Sequence, residues 1–204
     1  MLTLKAYTIM TIKELPRLMT DSSNKDGNAE AVMDYVISWC LRYAESKYIQ
    51  EKPILSKYCR YMLGKLTDIE IKDTTNVKSV EVKKQWQRID LCVEVIIDDN
   101  NIDSKHAILI ENKYFTKLHD NQHIEYKKLF DKEYEGWEKT YRIITCFDEP
   151  TRVDELYGDD IKGTPYIAYS FYEMLSPELW DAEKGLCIET ESDIFNEFWL
   201  RWGM

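Results

Sequence analysis

The sequence predicts an α/β domain in which helices precede a sheet, and three observations carry that reading. Apolar residues recur at helical spacing over residues 28–44, the period shifts to two from about residue 68, and a polar helical stretch then separates this region from two further strand-like segments. A chain of 204 residues suits one domain spanning 1–204, with N-terminal helices at about 28–64, a core sheet at about 68–170 and an acidic, aromatic segment at about 171–204.

The first helix (NAEAVMDYVISWCLRYA, 28–44) places Val32, Met33, Val36, Ile37, Cys40 and Tyr43 on one face, while Glu30, Asp34, Ser38 and Arg42 define the opposite stripe. DSSNKDG, just before it, supplies cap and turn residues. A second helix is expected from Pro53, a residue suited to a first turn, to Leu63, with Gly64 as its stop. Next, DIEIKD, VKSVEVKK, RIDLCVEVII and HAILIENK alternate with period two between polar breaks, which predicts a β-meander. A helix over 118–132, strands over 141–147 and 165–169, and a closing helix over 193–202 complete the order. In that closing helix Ile194, Phe198 and Trp202 recur every four residues beside Phe195 and Trp199, a stripe that suits either core or an interface.

Composition excludes several classes. No run approaches the roughly 18 apolar residues that span a bilayer, and the first 18 residues lack a continuous apolar stretch with a cleavage site, so an unprocessed cytoplasmic protein is expected. Cys40, Cys59, Cys92, Cys146 and Cys187 are odd in number and form no CxxC, which predicts buried free thiols. The net charge of −10 is lopsided: residues 1–132 carry 21 Lys and Arg against 20 Asp and Glu, residues 133–204 only 6 against 17. A nucleic-acid site in the first two thirds is therefore allowed, without the strongly basic footprint of a dedicated duplex binder.

Strand arithmetic then gathers charge on one face. Antiparallel partners have a constant sum of residue numbers, and Asp90 with Glu111 has its midpoint at 100.5, inside the polar turn DDNNIDS. Glu81 and Asp90 have theirs at 85.5, inside KKQWQ, so Glu81 is expected beside Asp90. Glu111 and Lys113 share a face by alternation, giving three carboxylates and one ammonium together. Charges alternating along a strand are ordinarily just a solvated face. Here they end strands that look internal, and carboxylates so placed repel unless a cation neutralises them. Hard oxygen ligands suit Mg²⁺ or Mn²⁺.

Arg88-Ile89-Asp90 on one strand and Ile110-Glu111-Asn112-Lys113 on the next resemble the PD-(D/E)XK nuclease superfamily, with Ile89 where the motif often has Pro. The resemblance implies a restriction-endonuclease-like mixed β-sheet flanked by helices in the order αβββαβ, over roughly 28–170. It implies Asp90 and Glu111 as metal ligands, the Asn112 carbonyl assisting, and Lys113 as the catalytic lysine. Gln122 and Tyr126 resemble the family's QxxxY, whose Gln reaches toward the site; Glu30 looks like its helical acidic residue and Glu81 like the acidic residue of its first core strand. The implied activity is Mg²⁺-dependent (or Mn²⁺-dependent) hydrolysis of DNA, with RNA left open and a 5′ phosphate as product.

Lys83, Lys84, Arg88, Lys117, Lys127 and Lys128 are the candidate phosphate contacts. His119 and His123 form HxxxH, but without a following Glu or an evident third ligand the pair reads as an exposed helix face, not zinc. No P-loop, GxGxxG or GxSxG is present. The competing function is a non-catalytic module that keeps the nuclease fold for binding or assembly, with a homodimer or protein partner using the aromatic C-terminus.

Overall fold

The computed structural model describes residues 29–99, 102–118, 122–146 and 150–202. The N-terminal reading, the DSSNKDG cap, His119 and the centre of the DDNNIDS turn lie outside these. Two helices, α1 (Ala29–Arg42) and α2 (Pro53–Thr67), precede three long strands, β1 (Asn76–Trp86), β2 (Ile89–Asp99) and β3 (Ile102–Lys113). Then come α3 (Gln122–Glu133), β4 (Glu138–Thr145), α4 (Pro150–Ile161) and β5 (Tyr166–Ser170). A two-stranded ribbon, β6 (Trp180–Asp181) with β7 (Leu186–Cys187), leads to a short helix α5 (Asp193–Phe195) that continues as a π-helical turn over Asn196–Trp202.

The five long strands form one mixed sheet in the order β1-β2-β3-β4-β5, antiparallel from β1 to β3 and parallel from β3 to β5. Parallel neighbours need a crossover of a dozen or more residues, and α3 and α4 are those crossovers. This is the restriction-endonuclease-like sheet with flanking helices, with α4 an addition to the expected αβββαβ order. Side chains alternate across it. Leu91, Val93, Val95, Ile108 and Ile110 meet α1, α2 and the C-terminal rings, whereas Cys92, Ala107 and Leu109 meet Tyr126, Phe130 and Tyr166. Both faces are covered, which explains the unbroken apolar run of ILI. Phe195, Phe198 and Trp199 are fully buried in the first of these cores, so the aromatic stripe is core there and not a partner surface. All five cysteines are buried and free. Among the described residues no helix is long and apolar enough to cross a membrane.

Two local expectations change. Gly64 does not stop α2, which runs on to Thr67 and ends on Asp68 at φ +59. The Leu66 carbonyl near its end finds partners in the sheet, accepting Thr140 Oγ1 at 2.7 Å and Arg142 Nε at 3.0 Å, and Arg142 Nη2 donates to the Asp68 carboxylate Oδ2 at 2.6 Å. DIEIKD is not a strand either. Its end is held by buried Arg60, whose Nη2 donates to Lys72 O and Thr75 O at 2.6 Å each, taking carbonyls a ladder would have used.

Gly64 is required for a different reason, because a Cβ there would lie 2.8 Å from Ile69 O. Gly64→Ala should therefore lose about 1–3 kcal/mol despite its better helix propensity. Gly158→Ala, in α4 where a Cβ meets nothing within 4 Å, should gain about 0.5–1 kcal/mol. Urea titration of both variants checks the opposite signs.

Candidate active site

Three strand ends meet at one edge of the sheet. The β2–β3 register pairs Leu91 with Ile110, so Asp90 comes level with Glu111, as a midpoint of 100.5 requires. The β1–β2 register pairs Trp86 with Ile89 and Glu81 with Glu94, which puts Gln85 rather than Glu81 beside Asp90. Glu81 is exposed and lies away from the group. The turn is displaced because Trp86 remains a strand residue, its ring packed edge-on to Tyr134 at 6.4 Å, leaving Gln87 and Arg88 as a two-residue connection. Both have positive φ, +52 and +71, the twist such short hairpins demand, and Gln85 is left-handed too at +55. Non-glycine residues held there cost on the order of 1–3 kcal/mol each, which points to a constrained site.

The constraint comes from α1. Asp34, 5 % exposed, accepts Asn112 Nδ2 on Oδ1 at 2.7 Å and Gln85 Nε2 on Oδ2 at 2.9 Å. Gln85 Nε2 also donates to Asp90 Oδ1 at 3.1 Å, and the Asn112 backbone N–H donates to Asp90 Oδ2 at 2.8 Å. One buried carboxylate thus fixes the two groups that fix Asp90. Sequence reasoning missed both Asp34 and Gln85, having assigned Asp34 to a stripe opposite the apolar face. In the structure Asp34 and Ser38 on that stripe are buried, and Arg42 Nη1 donates to Ser38 Oγ at 2.7 Å. The available signal was Asp34 standing one turn after Glu30.

Glu111 and Lys113 point to the other side of β3 from the Asn112 side chain and are both 5 % exposed, with Lys113 Nζ donating to Glu111 Oε1 at 2.8 Å. Glu111 Oε2 is buried and has no hydrogen-bond partner. Glu30 Oε1 accepts the Tyr114 N–H at 3.1 Å and Thr116 Oγ1 at 2.8 Å, tying α1 to the exit of β3. Gln122 donates to the Tyr126 hydroxyl within α3 and to neither Asp90 nor Glu111. His123 is not on an exposed face: it is 6 % exposed against Tyr166, and neither ring nitrogen has a partner. Burial lowers its affinity for a proton.

The electrostatics follow from this crowding. Burial, then the Glu111 charge, pushes Asp90 up to about 7, against the pull of the Asn112 N–H and Gln85. Burial likewise raises Glu111, opposed by Lys113 and reinforced by Glu30 and Asp34. Burial disfavours the Lys113 ammonium, but Glu111, Glu30 and Asp90 outweigh it and raise its value. The group is thus short of positive charge. Among the described residues no three His, Cys, Asp or Glu side chains form a ready-made cage. Two carboxylates with a backbone carbonyl suit a cation that keeps most of its waters, as Mg²⁺ does, and the orphaned Glu111 Oε2 is an acceptor without a donor. A cavity of about 640 Å³ lies elsewhere, between α2 and residues 68–73.

Of the candidate phosphate contacts, Lys83 pairs with Glu94, Lys127 with Asp131 and Lys128 with Glu125. Lys84, Arg88 and Lys117 are exposed. The family profile described as the PD-(D/E)XK nuclease superfamily matches residues 24–180, and the chain belongs to that superfamily. Neither the search of curated proteins nor that of solved structures finds a match.

The raised Asp90 value has a sign that can be measured. The unfolded carboxyl loses its proton near 3.8 and the folded one near 7, so folding is penalised increasingly as pH rises between these and constantly above them. In chelator, the stability of Asp90→Asn relative to the parent should rise by roughly 2–4 kcal/mol from pH 4 to pH 8. A difference independent of pH would contradict the burial of this charge.

Proposed function

We propose that the protein is a metal-dependent nuclease hydrolysing DNA phosphodiester bonds, with Asp90, Glu111 and the Asn112 carbonyl holding Mg²⁺ or Mn²⁺ and Lys113 serving the reaction. The observation that carries this reading is the buried Glu111, with one oxygen on Lys113 Nζ and the other unpartnered, level with Asp90 at a strained strand edge. A retired site has no physical reason to keep so costly a cluster. Glu30 contributes its charge from the rim, and Asp34 and Gln85 orient Asp90.

A divalent cation, when bound, supplies Lewis-acid polarisation of the phosphoryl oxygen and neutralises the paired carboxylates. Lys113 orients the attacking water and offsets the charge that builds on the non-bridging oxygens in the transition state. The water oxygen bonds to phosphorus and gives up one proton to solvent as the bond to the 3′ oxygen breaks, and the 3′ oxygen takes a proton from solvent, leaving a 5′ phosphate and a 3′ hydroxyl. Gln122, at the first residue of α3, reaches the site only if it gives up Tyr126.

Purified protein incubated with linear, nicked and single-stranded DNA should cleave at least one of them with Mg²⁺ or Mn²⁺ and stop in chelator; a parent inactive in every combination favours the binding module. Lys113→Ala should lose about 10²–10⁴ in rate yet keep Mn²⁺ binding by calorimetry, whereas Glu111→Gln should lose the metal. Circular dichroism must accompany Lys113→Ala, because it strands the second Glu111 oxygen. Gln85→Ala, at an exposed position, should weaken Mn²⁺ by about 10–100-fold, as outer-shell partners of metal ligands do. Unchanged affinity would remove Gln85 from the orienting role.

A further inference from the structure

Resting on the nuclease reading, the geometry points to single-stranded nucleic acid, rather than duplex, as what this site takes, gripped by stacking on Tyr35 and Phe115. Both rings are exposed, 65 % and 55 %, and each is tied by sequence to a different wall of the site. Tyr35 follows Asp34 on α1, and Lys84 Nζ from β1 stands 4.4 Å over its ring. Phe115 lies two residues beyond Lys113 at the exit of β3. Lys84, over the Tyr35 ring, belongs to β1 and Phe115 follows β3, with β2 and its Asp90 between those two strands in the sheet.

Phe115 is held there at a cost. Its φ is +55, a conformation that a bulky L residue rarely adopts. Glu30 pins the residue before it and the residue after it, through the Tyr114 N–H and Thr116 Oγ1, and the Tyr114 ring braces it edge-on at 4.8 Å. Such strain persists where the surroundings over-determine it, and it collects at functional sites. An exposed ring alone would mean little. Two exposed rings tied to the strands on either side of β2, one strained into place and the other carrying a cation, make a platform.

The charges favour a single strand. Duplex binding draws on many phosphate contacts, but residues 1–132 hold nearly equal charges of each sign, and Lys83, Lys127 and Lys128 are engaged by carboxylates. Lys84, Arg88 and Lys117 suffice to track a short stretch of one backbone. A duplex hides its base faces in the stack and presents edges, whereas every unpaired base offers a π-face to an aromatic ring regardless of sequence.

Fluorescence anisotropy of the full chain tests this, with labelled oligodeoxythymidine, oligouridine and a blunt duplex in Ca²⁺ buffer. The parent should bind the single strand at least about tenfold more tightly than the duplex, and Phe115→Ala and Tyr35→Ala should each weaken single-strand binding about tenfold with duplex binding unchanged. Phe115→Trp and Tyr35→Phe should retain it, and 2-aminopurine in the strand should be quenched by the parent but not by Phe115→Ala. Oligouridine bound as well as oligodeoxythymidine supports stacking that tolerates the ribose. Equal or tighter duplex binding by the parent, or equal losses on both substrates in the Ala variants, overturns the proposal. Mn²⁺ calorimetry separates the two readings: a parent that binds metal but prefers duplex sinks only the single-strand inference, and one that binds no metal sinks the nuclease site beneath it.

Discussion

Everything at the strand ends depends on the Asp34 carboxylate being an acceptor inside the protein. With both oxygens engaged by amides from β1 and β3, it fastens α1 across the sheet edge and leaves Gln85 and Asn112 one geometry each. Burial raises its proton affinity, the Asn112 and Gln85 bonds counter that, and nearby Glu30 adds repulsion. A buried anion is costly unless it is bonded on every side, and here the bonding partners are the groups that hold Asp90. The cost of burying one carboxylate is thereby offset by ordering another.

The same logic recurs away from the site with cations. Arg60 and Arg142, both almost fully buried, spend their guanidinium groups on backbone carbonyls at places where helices and loops end without ladders. Each collects carbonyls from segments far apart in sequence, so the connections around α2 are fixed by side chains and not by regular structure. That is why the chain after α2 can look strand-like yet never join the sheet. Its alternation is real, but the Lys72 carbonyl at its end is already taken by Arg60.

Much of this was legible in the sequence because it follows from period and parity. The β2–β3 register, the shared face of Glu111 and Lys113, and the two-sided burial of β3 all come from counting by two. What could not be read depends on which side chains stand in for missing backbone partners. Glu81 lost its place when the turn settled on Gln87 and Arg88, residues with no turn preference of the Asn-Gly kind, because Trp86 had a ring to pack against. Asp34 was hidden by its company, a polar stripe of the sort that usually faces water. His123 carried an opposite disguise, a polar residue in a polar helix that nonetheless lies against Tyr166. Local pattern reports polarity, and burial is decided by what arrives from elsewhere.

The division of the sheet into an antiparallel and a parallel half also distributes the entropy of assembly unequally. Residues 76–113 form two successive hairpins, so Asp90, Glu111 and Lys113 are brought together by loops only a few residues long. Such loops close at small entropic cost, whereas the β3–β4 and β4–β5 pairings must each close around a helix. The acidic cluster is therefore inexpensive to gather in chain entropy, and what remains costly is the docking of α1, whose Asp34 must meet partners 51 and 78 residues away in the chain. The strands that carry the candidate site belong to the most local part of the topology, and their final alignment to contacts between distant parts of the chain.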